Sequence, residues 1–138
     1  MSGIFIEPNE EIEINIFVAI SEKGEVFSDT DLKLVEEDFE GNKEDIVTYT
    51  VKFRKPDYKA EVEIYSDILK SNQDGESNTE SPLSLDLAGV TYKRFVTLIK
   101  SWTFKDDEGK AIPPTQENID KLHPSIARAI TSELADHV

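Results

Sequence analysis

Two histidines, His123 and His137, and the absence of cysteine restrict the nucleophilic chemistry open to this chain. A triad hydrolase needs a nucleophile on a sharp turn with an imidazole in reach, and no G-x-S-x-G pattern occurs. His137 stands next to the last residue, and His123, between Leu122 and Pro124, is placed to help start a helix rather than to act as a base. Gly24, Gly41, Gly75, Gly89 and Gly109 are isolated, so no glycine-rich loop is present to cradle a phosphate. Neither an enzyme activity nor a cofactor is expected.

Carboxylates are abundant, and three groups of them could hold a hard cation: Asp29 with Asp31, Glu36-Glu37-Asp38, and Asp106-Asp107-Glu108. None has the spaced ligands, central glycine and closing glutamate of a calcium-binding loop, so solvated faces and turns are expected instead of a metal site. The aromatic residues point elsewhere. Tyr92, Phe95, Trp102 and Phe104 cluster in the second half, with Tyr58 and Tyr65 earlier. Most such rings fill a core, but any left exposed beside an acidic surface would anchor a protein partner.

Charge narrows the class of partner. The 138 residues carry 29 acidic and 15 basic side chains, a formal net charge of −14. Residues 1–48 hold 14 acids and 3 bases, whereas residues 85–138 hold 8 acids and 7 bases. Nucleic-acid binding requires cations that replace the counterions around phosphates, and this field repels a polyanion. The stretch from Ile12 to Ile20, broken by Glu13 and Asn15, is neither a membrane span nor a signal peptide. With no cysteine, the fold suits reducing conditions, and an intracellular setting is expected.

The elements that would position these residues follow from periodicity. Positions 12, 14, 16, 18 and 20 are Ile or Val with Glu, Asn, Phe and Ala between, the period of two of a half-buried strand. Gly24 supplies a hairpin turn before Val26 and Phe27 restart an extended run. The segment from Asp29 to Glu44 has no resolvable period. Val47, Tyr49, Val51 and Phe53 alternate in a further strand that ends at Pro56. Asp57 then caps a helix whose apolar seam is expected at Tyr58, Val62, Tyr65, Ile68 and Leu69, stopping near Ser71. Residues 71–84 lack apolar period and read as a flexible loop.

From Leu85 to Thr103 the pattern reads as one helix, with Leu87, Val90, Thr91, Phe95, Leu98, Ile99 and Trp102 along one face. A charged turn at Lys105–Lys110 follows. Thr115 caps a short helix, and Pro124 opens a last one with Ile126, Ala127, Ile130 and Leu134 as its seam. That seam is expected to meet the face carrying Phe95, Ile99 and Trp102. The fold class is therefore α+β: an antiparallel sheet made of a hairpin plus a further strand, a helix, a flexible loop and a helical C-terminal half. In extent this gives 1–70, 71–84 and 85–138.

The second half also carries a resemblance. A helix ending in Trp102, the acidic turn Asp106-Asp107-Glu108-Gly109, Pro113-Pro114-Thr115, Glu117-Asn118-Ile119, and Leu122-His123-Pro124 opening a last helix together resemble the C-terminal segment of small tail-assembly proteins of long-tailed bacteriophages. The step Val51-Lys52-Phe53-Arg54-Lys55-Pro56 fits the same pattern more loosely. The resemblance covers about half of the chain, and no catalytic or cofactor residue comes with it.

It implies a tail-assembly chaperone-like protein that binds a tape-measure or tube protein in the host cytoplasm. The alternative is a structural component of the virion, such as a tail, neck or head-decoration protein, whose strands pair with those of neighbouring subunits. Self-association into a homo-oligomer is compatible with either. A third reading is an acidic inhibitor that imitates nucleic acid, for which Glu36 to Asp45 is the place to look.

Overall fold

The structure, a computed structural model, describes residues 4–74 and 87–137. Strand β1 (Glu11–Ile20) pairs antiparallel with β3 (Val47–Arg54) in the register Ile12 to Phe53, Ile14 to Val51 and Ile16 to Tyr49. Because side chains alternate across a strand, this register puts the isoleucines of β1 and the apolar residues of β3 on one face. Ile12, Ile14, Ile16, Val18, Val51 and Phe53 are buried there. The fifth member of the alternation, Ile20, is 61% exposed, since the pairing with β3 ends at Val18 and Val47.

The expected hairpin is present. Strand β2 (Val26–Asp29) folds back on β1 through a turn in which Gly24 has φ 84°. The Gly24 N–H donates to Ser21 O and the Glu25 N–H donates to Ser21 Oγ. Asp29 and Asp31 are engaged in local caps: Asp29 accepts from the Asp31 N–H, and Asp31 accepts from the Lys33 N–H at the start of α1 (Leu32–Asp38). Helix α1 covers the second face of the sheet at the hairpin end. There Val35 and Phe39 pack on Ala19, with Phe17, Phe27 and Ile46 around them.

Helix α2 (Tyr58–Asp74) starts where Asp57 Oδ1 accepts the Ala60 N–H at 2.9 Å, as a cap after Pro56 should. Among its described side chains Ala60 and Ile64 are buried and Tyr65 packs partly buried on the core, while Tyr58 is 86% exposed and Val62 is also at the surface. The expected seam is thus corrected at Tyr58 and Val62 and kept at Tyr65, while the side chains of Ile68 and Leu69 lie outside the described residues. The small Ala60 is buried in the core, α2 lying chiefly against the helix that follows it, and the bulkier Tyr58 turns outward. The helix also runs to Asp74 rather than stopping near Ser71; the remainder of the expected loop, from residue 75 onward, lies outside the described residues.

The helix expected over 85–103 is corrected as well. Helix α3 (Leu87–Leu98) ends at Leu98, and Ile99–Trp102 form strand β4 on the far side of β3, giving the order β2-β1-β3-β4. The pairing Lys52 to Ser101 followed by Phe53 to Ile99 leaves Lys100 as an extra residue, a bulge. Consequently Ile99 and Trp102 both lean toward the core while Lys100 and Ser101 are exposed. A bulged strand therefore reproduces the i, i+3 spacing of a helix face.

After β4 the acidic turn closes on itself. Asp106 Oδ1 accepts the N–H groups of Glu108 and Lys110 at 2.9 Å each, and Gly109 adopts φ 83°. Thr115 Oγ1 caps α4 (Gln116–Asp120) through the Asn118 N–H. Pro124 opens α5 (Pro124–His137), where His123 Nδ1 accepts the Ser125 N–H at 3.1 Å. Ile130 and Leu134 are buried. Helix α5 lies mainly across β1 and β2, with a smaller contact to α3, so its seam meets the sheet more than the face that was expected. Both halves of the chain join one core, from Ile12 to Leu134.

Candidate protein-binding surface

The aromatic residues singled out from the sequence divide between core and surface. Phe95 is buried edge-on against Phe53, with ring centroids 5.2 Å apart. Phe104 is buried between Tyr49 and Trp102, at 4.8 and 5.0 Å. Trp102 is half-buried, and its indole N–H donates to Ile112 O, which ties the loop after β4 to the sheet. Tyr92 alone of the four is exposed, at 41%. Its hydroxyl donates to Asp120 Oδ1 at 2.7 Å and accepts from Gln116 Nε2 at 2.9 Å, so it joins α3 to α4. The Asp120 hydrogen bond, helped by desolvation, raises the Tyr92 pKa above its ordinary value. The structure brings Trp102 and Phe104 together and leaves Tyr92 and Phe95 apart.

A different surface has the geometry of a binding site. At the hairpin end of the sheet, the β1–β2 turn and the segment after α1 enclose an open groove of about 700 Å3. Phe27 and Phe39 line it, their rings tilted at 53° with centroids 5.8 Å apart, and the exposed Ile20 stands at its edge. Gly41 lies over the Phe39 ring so closely that a Cβ there would come 2.4 Å from Cζ. Glycine at 41 therefore answers to close approach, not to a left-handed backbone.

Charge around the groove is one-sided. Glu22, Glu25, Asp38, Glu40 and Asp45 line it, against Lys23 as the cationic member. Among the described residues none of these five carboxylates enters an ion pair. Carboxylates elsewhere on the sheet are matched: Glu10 with Lys55, Glu13 with Lys52, and Glu11 with Lys100. Glu36, next to the groove, is held by Lys43 at 3.6 Å. Among the described residues no group of three or more histidines and carboxylates is arranged to hold a metal ion.

Such a groove suits a lysine or arginine side chain from a partner. The alkyl stem would lie on the phenylalanine rings and the charged head among the carboxylates, a combination of apolar packing and cation–π attraction worth about 0.5–2 kcal/mol for the latter. Three of its acids, Asp38, Glu40 and Asp45, fall within the acidic stretch noticed in the sequence. Ile20, Phe27, Phe39 and Gly41 were not recognisable as its lining, because the groove forms between segments separated by a whole strand and helix. The one local signal was Ile20, which continues the alternation beyond the point where Gly24 turns the chain. Comparison with protein families, curated proteins and solved structures found no match.

Proposed function

We propose that this protein works by binding a partner protein, not by catalysis, and that the hairpin-end groove receives a basic side chain of that partner. The observation that carries the reading is the set of five unpaired carboxylates around Phe27 and Phe39. A cationic partner relieves their mutual repulsion and gains affinity and association rate from the surrounding negative field. The resemblance of the second half to phage tail-assembly proteins supplies the biological setting: a chaperone-like factor that holds a tape-measure or tube protein in the host cytoplasm until the tail is built.

The test is co-expression of the full chain with the tape-measure protein of the same phage. A stable complex on gel filtration, lost when Glu25→Gln, Asp38→Asn and Glu40→Gln are combined, supports the proposal. Failure to co-purify, together with abundant copies of the chain in mass spectra of purified particles, favours the structural virion component instead.

A further inference from the structure

Strand β1 is longer than the partner on one of its sides, and the hydrogen-bond phase identifies the residues left over. On the β3 side the Lys55 N–H donates to Glu10 O, which makes Glu10 and its even-numbered successors the residues whose backbone groups point to β3. On the other side the Ser21 N–H donates to Glu25 O, so the odd-numbered residues point toward β2. Strand β2 reaches only as far as the pair Asp29 to Phe17. The N–H and C=O groups of Glu11, Glu13 and Asn15 therefore point out of an edge that no strand among the described residues covers. All three residues are exposed, and among the described residues no hydrogen bond engages their outward backbone groups.

Charged side chains on an edge commonly block it. Here they are drawn away from it. Glu11 leans across β3 to Lys100 on β4 at 2.6 Å, Glu13 toward Lys52 on β3 at 3.8 Å, and Asn15 accepts the Thr50 hydroxyl on β3 at 2.8 Å. Among the described residues no strand occupies the backbone edge from Glu11 to Ile16, roughly 17 Å long at strand rise.

We infer that this edge of β1 takes up an extended segment of a partner protein bearing lysine or arginine at alternate positions. Backbone hydrogen bonds would supply the affinity, and the alternate basic residues would sit in the negative field of residues 1–48, with their 14 acids and 3 bases, without displacing Lys100 and Lys52 from Glu11 and Glu13. A second copy of the chain is the poorer occupant, because antiparallel pairing about Glu13 sets glutamate opposite glutamate. The inference is independent of the groove and of whatever fills it.

Backbone amide exchange on the full chain, followed by NMR, tests it. In the free protein Glu11, Glu13 and Asn15 should exchange faster than Ile12, Ile14 and Ile16. Addition of the synthetic peptide Lys-Val-Lys-Val-Lys-Val-Lys should slow those three amides by about ten-fold or more. The equally charged Lys-Val-Lys-Pro-Lys-Val-Lys, whose proline interrupts pairing, should not. Equal responses to both peptides, no response, or protection confined to Ser21 to Glu25 would overturn the inference. Slow exchange at the three amides that grows with protein concentration alone would assign the edge to a second copy and overturn it as well. Loss of groove binding in the Glu25, Asp38 and Glu40 variant leaves this exchange pattern unchanged.

Discussion

Lys100 on β4 places its Nζ 2.6 Å from Oε1 of Glu11 on β1, spanning the strand β3 that lies between them. The bulge at Lys100 makes this reach possible, since it turns Lys100 and Ser101 together onto the polar face. This bulge in the pairing thus sets the direction in which the Glu11 side chain leans.

The hydrogen bond from Lys100, followed by its charge, holds the Glu11 carboxyl below the ordinary carboxylate range. A depressed folded value means that the contribution of the pair is present above the unfolded pKa and is lost as pH falls through the folded one. Carboxyl-carbon NMR titration should find Glu11 lowered from its ordinary value, and Lys100→Ala should return it there. An unshifted Glu11 in the wild type contradicts the geometry.

Gly41→Ala is expected to destabilise the fold by about 1–3 kcal/mol, the usual range for overpacking, because the new Cβ meets the Phe39 ring at 2.4 Å. Gly109→Ala provides the control. Its φ of 83° also disfavours a side chain, at about 1–2 kcal/mol, but nothing lies within 4 Å of its Cβ and it is remote from the groove. Urea melts should show both losses, whereas partner binding should fall only for Gly41→Ala.

Phe53 is fully buried and meets Phe95 edge-on, so it joins the strands of the first half to a helix of the second. Phe53→Ala should cost about 3–5 kcal/mol. Because the core is shared, Trp102 fluorescence and far-ultraviolet circular dichroism should report one coincident transition in the wild type. Separate transitions would mean that the halves unfold independently.

Much of this architecture was legible from residue spacing. The alternation from Ile12 to Val18, the turn at Gly24, and the helix starts at Asp57, Thr115 and Pro124 rest on local rules, and each is found where those rules put it. The misreadings share a physical cause. Ile99 and Trp102 have helical spacing because a bulge adds one residue to a strand. Tyr58 and Val62 looked like a seam because they are larger than Ala60, although it is Ala60 that is buried in the core. Helix α1 was hidden because it buries only Val35 while Leu32 and Leu34 remain at the surface.

The groove could not be read from the sequence for a related reason. Its acids were visible as charge, but their lack of partners depends on where Lys33, Lys43 and the lysines of the sheet end up in space. Of the four aromatic residues proposed from the sequence as partner contacts, Phe95 and Phe104 are buried and the Trp102 N–H is engaged internally. Tyr92 keeps a surface position on α3, away from the groove lining.

The most direct test of partner binding through the groove is quantitative co-purification of the tape-measure protein with the wild-type chain and with the combined Glu25→Gln, Asp38→Asn and Glu40→Gln variant. Removing three exposed, unpaired carboxylates should leave the melting temperature equal to or above that of the wild type, since repulsion falls. The expected result is a complex with the wild type that weakens by about ten-fold or more in the variant and with rising salt. An equally strong complex in the variant, or none with the wild type, would contradict it.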